Sequence, residues 1–123
     1  MNVQSQKPCL CGSIILVFRP TICAKELLNL FPPGTTCDEY PDCIEITYLQ
    51  KNDIYSWEVD DLLTSLFSTC NLSFISDITS RFQGKVIVDI TFHHFDVYPA
   101  LVFEGTNMEI IRKLNADISI DPY

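Results

Sequence analysis

Carboxylate side chains dominate the middle of this chain and are its clearest candidates for a chemical role. The segment from Glu26 to Ser80 contains ten acidic residues and a single basic one, Lys51. A surface of one charge repels nucleic acid and anionic membranes, and it accelerates the encounter with a cationic partner. No glycine-rich phosphate loop or catalytic motif of similar clarity accompanies these acids. The sequence therefore favours a binding protein over an enzyme, and it indicates no cofactor.

Aromatic residues interleave with these acids, which is the composition of a protein-binding surface. Aromatic side chains anchor interfaces, while carboxylates steer the partner. Tyr40 is expected to be exposed because it falls in a predicted loop, whereas Tyr55 and Trp57 also fit a buried strand face. A solvated acidic face that only maintains solubility is the simpler alternative. The predicted partner-binding residues are Asp38, Glu39, Tyr40, Asp42, Glu45, Asp53, Glu58, Asp60 and Asp61.

The pair His93–His94 is the main candidate for catalysis or metal binding. Neighbouring strand residues point to opposite faces, so the two rings cannot readily hold one metal ion. His93 shares a strand face with Asp89, but four residues separate them by about 13 Å, beyond hydrogen-bond reach. We therefore expect structural roles for both histidines and no metal site. A small metal-dependent enzyme that uses His93 and His94 is the alternative from another functional class.

Six cysteines bear on the cellular compartment: Cys9, Cys11, Cys23, Cys37, Cys43 and Cys70. The Cys9-x-Cys11 spacing is not that of a zinc ribbon. An even count in a short chain also fits a disulfide framework. Because the first residues lack a signal-peptide pattern, we expect free, mostly buried thiols and a cytoplasmic protein. No run approaches the roughly 20 apolar residues that a membrane span needs.

Length and patterning predict one α+β domain over residues 1–123, with a polar lead-in at residues 1–11. The chain is 47% hydrophobic with a net charge of -8, which is enough apolar material for a core. Thr106-Asn107-Met108-Glu109 reads as a capping box and residues 37–42 as an acidic loop. Strands are predicted at residues 13–18, 44–49, 54–59, 85–95, 98–103 and 117–121, separated by helices near 21–31, 61–70, 74–82 and 106–114. The result is a mostly antiparallel sheet of about five to six strands with two to four helices on one face.

The C-terminal third resembles a bacterial protein family. The segments at residues 98–103 (YPALVF) and 110–123 (IIRKLNADISIDPY) are similar to the ending of the domain-of-unknown-function 4279 family, which finishes with a short helix, a small-residue turn and an Ile-x-Ile-Asp-x-Tyr strand. The family has no assigned catalytic residues. Small acidic proteins of this kind look like immunity proteins of polymorphic toxin and contact-dependent growth inhibition systems. The resemblance implies an inhibitor of a cognate, basic, nuclease-type toxin domain; a generic protein-interaction module is a further alternative.

Overall fold

A computed structural model describes residues 7–55, 58–97 and 101–122 of the chain. Within those ranges the chain forms five strands and four helices in one small α+β domain. The elements are β1 (Cys9–Phe18), α1 (Ala24–Leu28), β2 (Thr36–Glu39), β3 (Ile44–Ile54), α2 (Val59–Ser68), α3 (Leu72–Arg81), β4 (Lys85–His93), α4 (Gly105–Lys113) and β5 (Asp117–Pro122). The predicted α+β class is confirmed. None of the described helices has the length and apolar character needed to cross a bilayer.

The five strands form one sheet in the order β2-β3-β1-β4-β5. Neighbouring strands are antiparallel except β4 and β5, which are parallel and are connected through α4. β1 is therefore the central strand, as its apolar run predicts. β1 begins at Cys9, so residues 9–11 belong to the sheet rather than to a lead-in.

The hydrophobic core lies on one face of the sheet, under the helices. Burial alternates along β1 and β4, because successive strand residues point to opposite faces. The helices complete this core with the apolar sides that face the sheet. Fully buried members include Leu10, Ile14, Leu16 and Phe18 of β1, Leu62, Leu63 and Leu66 of α2, Ile75 and Ile78 of α3, and Val88 and Ile90 of β4.

Two glycines permit close approaches within this core. A Cβ atom on Gly12 would lie 2.9 Å from methyl carbons of Leu62 and Leu66, so α2 packs directly over the backbone of β1. A Cβ atom on Gly84 would clash with the ring of Phe18. Because interiors are close-packed, neither position has room for a larger residue without a shift of its neighbours.

β3 is longer than predicted, because it continues without a break through residues 50–53, between the strands predicted at 44–49 and 54–59. Its pairing with β1 shifts register twice, between Leu10 and Gly12 and between Ile14 and Ile15. Such bulges absorb extra residues without ending the strand. The predicted separate strand at 54–59 is therefore wrong: residue 54 ends β3, residue 59 begins α2, and residues 56–57 lie outside the described ranges.

Two other predicted segments also differ in the structure. The acidic loop at residues 37–42 is partly strand, because β2 pairs with β3 at the sheet edge despite the low strand propensity of Asp and Glu. Residues 101–103 form no strand, and residues 98–100 of that prediction lie outside the described part of the chain. For β2, backbone pairing with a distant segment, rather than local composition, decides the outcome.

Candidate partner-binding surface

The predicted acids gather most closely at the hairpin that joins β2 to β3. The backbone N–H of Tyr40 donates to the carbonyl of Cys43 at 2.9 Å and closes the turn. Asp38 lies directly opposite Glu45 in the strand register. We call Asp38, Glu39, Tyr40, Asp42 and Glu45 the acidic hairpin. All are exposed except Glu45, which is half-buried, and Tyr40 keeps 47% of its surface accessible.

Negative charge on the acidic hairpin is concentrated enough to perturb its neighbours. Glu45 and then Asp38 raise the pKa of the Tyr40 hydroxyl above its ordinary value. Burial is the main cause that raises the pKa of the Cys43 thiol, followed by the charges of Asp42 and Glu45. Like charges placed directly opposite each other on two strands also weaken their pairing. The sheet thus carries an electrostatic cost that a bound cation would reduce.

No described lysine or arginine forms a salt bridge with a carboxylate of the acidic hairpin. The salt bridges within the described residues, Arg81–Asp77 and Lys85–Asp117, lie on other parts of the surface. Exposed carboxylates without a partner keep most of their long-range field at low ionic strength. The acidic hairpin can therefore attract positively charged groups of another molecule.

The remaining predicted residues do not join the acidic hairpin. Asp53 lies near the far end of β3, and its side chain is outside the described part of the structure. Glu58 precedes α2, and Asp60 and Asp61 occupy its first turn. Nine residues of strand separate Glu45 from the end of β3, about 25–30 Å. The predicted partner-binding residues are thus divided between opposite ends of β3.

Asp60 holds two helices together. Its Oδ1 atom accepts hydrogen bonds from the backbone N–H of Glu104 at 2.8 Å and from Nδ2 of Asn107 at 2.9 Å. Asn107 is 4% exposed, and its amide also donates to Thr64 Oγ1 at 3.0 Å. Glu104 is the N-cap residue of α4, so Asp60 supplies from α2 the carboxylate that a capping box normally supplies locally.

This link corrects the predicted cap of α4. The helix begins at Gly105, one residue before the proposed cap residue Thr106, and Glu104 at the N-cap makes no side-chain capping bond. An acid at the start of a helix also suits the helix dipole, so Asp60 and Asp61 have a structural reason to be where they are. The role of Asp60 in contacting a partner stays a prediction, but its carboxylate is already engaged within the fold.

The aromatic residues near the acids in sequence also lie in separate parts of the structure. Tyr48 packs against Phe31 and Phe74, with ring centroids 6.0 Å and 5.7 Å away, so it belongs to the helix-covered side. Tyr55 is exposed at the far end of β3, and Trp57 lies outside the described residues. Of the aromatics predicted to mix with the acids, Tyr40 is the one that the structure places in the acidic hairpin.

Sequence reasoning did not select a second group of carboxylates, on β4 and β5. Asp89 is half-buried and hydrogen-bonds the carboxyl group of Asp121, as well as Ser119 and Thr91. Burial is the first cause that raises the pKa of Asp89, and the neighbouring Asp121 carboxylate adds to it. The pair is separated by about thirty residues in sequence and meets only through the parallel register of β4 and β5. Strand alternation places each residue on a face, but it does not identify the partner.

The residues considered for catalysis are not assembled into a recognisable site. His93 ends β4 and His94 follows with a positive φ of 61°, their ring centroids 6.3 Å apart. Within the described ranges, no three His, Cys, Asp or Glu residues are placed to hold a metal ion. No disulfide links the cysteines, all six of which are described. The expectation of mostly buried thiols is wrong, since Cys9 is buried, Cys23 is exposed and the others are half-buried.

A cleft of about 410 Å³ lies where α3 and α4 end, and Ser76, Thr79, Lys85, Lys113 and Asp117 are among its lining residues. Both helices direct their negative C-terminal ends towards this region, and Lys85 is paired with Asp117. The lysines therefore balance charges within the fold, and the cleft has no assembled catalytic group.

The comparisons with known proteins add no precedent: no family model, curated protein or solved structure matches this chain.

Proposed function

We propose that this protein is an immunity-type inhibitor that binds and neutralises a cationic toxin domain, of the nuclease class, through its acidic hairpin. The observation that carries the proposal is the arrangement of four carboxylates around the exposed Tyr40, with no described basic side chain paired to them. A nuclease domain presents lysine and arginine side chains to the phosphates of its substrate. An acidic protein surface can occupy the same side chains and block the substrate groove.

Charge and aromatic surface would contribute differently to such a complex. The carboxylates would accelerate association, and salt would reduce this effect because a Debye length is about 8 Å at physiological ionic strength. Tyr40 offers an exposed ring within the charged region, and buried aromatic anchors supply much of the affinity in protein interfaces. We therefore expect the acids to control mainly the association rate and Tyr40 to control mainly the lifetime of the complex.

The strand register supports the acidic hairpin as the main contact, because its residues share one surface. Asp38 and Glu45 face each other across two strands, and Glu39, Tyr40 and Asp42 flank them in the same hairpin. Glu58, Asp60 and Asp61 follow the opposite end of β3, at the start of α2, so they would reach a different part of a partner. In this proposal the acidic hairpin makes the main contact, and the start of α2 is secondary.

The decisive experiment is co-expression with the toxin candidate encoded beside the gene for this chain, scored as bacterial growth. One variant neutralises the four carboxylates of the acidic hairpin by Asp→Asn and Glu→Gln substitutions. The matched control neutralises the same number of exposed acids elsewhere: Glu26, Asp77, Asp96 and Glu109. We expect the hairpin variant to lose protection, with association at least tenfold slower at low salt, and the control to protect. Equal protection by both folded variants would reject the proposal.

A further inference from the structure

The face of the sheet opposite the helices carries an apolar centre. Strand alternation places Ile15 and Val17 of β1 on this face, with Ile87 of β4 directly opposite Ile15. All three side chains are half-buried, and none belongs to the core cluster or packs against it. We call this surface the open sheet face. The described helices all pack on the other face of the sheet, and a contiguous apolar patch with a polar rim is one mark of a docking surface.

Carboxylates flank this apolar centre on both sides. Asp38 and Glu45 lie on the open sheet face at the β2–β3 side, because Glu45 is opposite both Asp38 and Val17 in the register. Asp89 and Asp121 lie on the β4–β5 side. Lys85, at the edge of this face, is already paired with Asp117. The acidic hairpin therefore continues into a wider surface, apolar in the middle and negative along two edges.

The Asp89–Asp121 contact supports a cationic occupant. Burial, and then the contact with the Asp121 carboxyl group, raises the pKa of Asp89, so a second negative charge at this place is unfavourable. Ser119 and Thr91 also hydrogen-bond Asp89, but no described cation does. A lysine or arginine placed between the two groups would offset their repulsion and would favour the charged form of Asp89.

We propose that the open sheet face binds a basic amphipathic helix of the partner protein, whose apolar stripe covers Ile15, Val17 and Ile87. This inference rests on the proposed function and identifies the kind of toxin segment that the acidic surface would take. β3 and β5 lie three strand spacings apart, about 14 Å, and a helix with its side chains is about 10–12 Å wide. A helix along the centre would place lysine or arginine residues of its two flanks near the two carboxylate edges.

Charge selects this occupant over two others. A second copy of the chain would bring the same carboxylates to the same surface, and like charges across an interface are unfavourable. An anionic membrane would be repelled for the same reason. A helix whose apolar stripe is flanked by basic residues complements both features of the face, and helix-in-groove docking is a common recognition mode.

The test uses two synthetic helical peptides of about 16 residues, one of Leu and Lys and one of Leu and Glu, each with amphipathic spacing. Fluorescence anisotropy measures their affinity for the full chain. We expect the Lys peptide to bind, the Glu peptide not to bind, and added salt to weaken binding. Ile15→Thr combined with Ile87→Thr should weaken it about tenfold, since two apolar contacts are lost. Val97→Thr, at an exposed site elsewhere, is the control and should bind as the wild type does.

Amide chemical shifts of the wild-type protein provide the second measurement, which does not depend on the stability of any variant. Peptide contact should shift resonances of β1 and β4 more than those of α3. Failure of the Lys peptide to bind, unchanged affinity of the Ile15→Thr/Ile87→Thr protein, or shifts confined to other elements would each overturn the inference.

The two proposals fail separately. Glu39→Gln combined with Asp42→Asn changes the acidic hairpin without altering the open sheet face, because Glu39 pairs with Ile44 of the core side and Asp42 lies in the turn. Suppose that peptide binding does not respond to the isoleucine substitutions, while the Glu39→Gln/Asp42→Asn variant loses toxin protection. The inference then fails and the proposed function stands. If protection survives all hairpin substitutions, the proposed function itself is rejected.

Discussion

Replacement of Asp60 by alanine should destabilise the fold far more than an exposed acid of the same type would. The carboxylate accepts hydrogen bonds from the N–H of Glu104 and from the buried amide of Asn107, at 2.8 and 2.9 Å. A hydrogen bond to a charged group contributes about 1.5–3 kcal/mol. Because Asp60 is half-buried and water can replace part of the loss, we expect a decrease of about 2–4 kcal/mol in the free energy of unfolding.

This loss is large for a small domain, whose total stability is about 5–15 kcal/mol. Urea titration followed by circular dichroism measures it, and the midpoint should fall by roughly 1–3 M at a typical slope for this size. Asp60→Asn keeps an acceptor oxygen for Glu104 and loses the charge, so its decrease should be smaller than that of Asp60→Ala. Comparison of Asp60→Ala with Asp60→Asn distinguishes the loss of a hydrogen-bond acceptor from the loss of charge alone.

Asp77→Ala is the matched control, since Asp77 is an exposed helical acid whose salt bridge with Arg81 spans 3.7 Å. Such surface pairs contribute about 0.3–0.5 kcal/mol. If Asp60→Ala and Asp77→Ala lower the free energy of unfolding by the same small amount, the connection between α2 and α4 through Asp60 is not important for stability. Asp60 would then be available for partner binding, as the sequence predicts.

Two further stability predictions concern the sheet. Because the pKa of Asp89 is raised in the folded state, its ionisation weakens folding above the ordinary carboxyl range near pH 4. Asp89→Asn should therefore be more stable than the wild type at pH 7, with the difference shrinking below pH 4 in urea titrations; a pH-independent difference would contradict this. Gly84→Ala should cost about 1–3 kcal/mol through its clash with the Phe18 ring, whereas Gly105→Ala, which meets open space, should not destabilise the protein.

Elements with strong periodicity could be predicted from the sequence. The apolar run of β1 predicts a central strand, and the alternation in β4 and β5 predicts sheet strands with one buried face. The helical spacing of Leu63, Leu66 and Phe67 predicts the buried side of α2, although Val59 and Leu62 are buried there as well. Asn115 has a positive φ of 50° after α4, as expected for a residue that ends a helix in the left-handed region. These features depend on local geometry, which sequence spacing encodes.

Elements that depend on a distant segment were not predictable in the same way. β2 is a strand because β3 pairs with it, although its composition is typical of a loop. β3 continues past residue 51 because bulges keep it paired with β1. α4 begins without a local cap because Asp60 of α2 supplies the carboxylate. In each case a tertiary contact outweighs a local preference of about 1 kcal/mol or less.

The sequence by itself determined the charge of this protein and the faces on which its apolar residues lie, since both follow from composition and from periods of two and 3.6 residues. Only the tertiary structure decided which acids are neighbours. It placed Asp38 opposite Glu45, brought Asp89 to Asp121, engaged Asp60 within the fold and separated the start of α2 from the acidic hairpin. Strand register and strand order set these distances, and both arise from pairing between segments that are far apart in the chain.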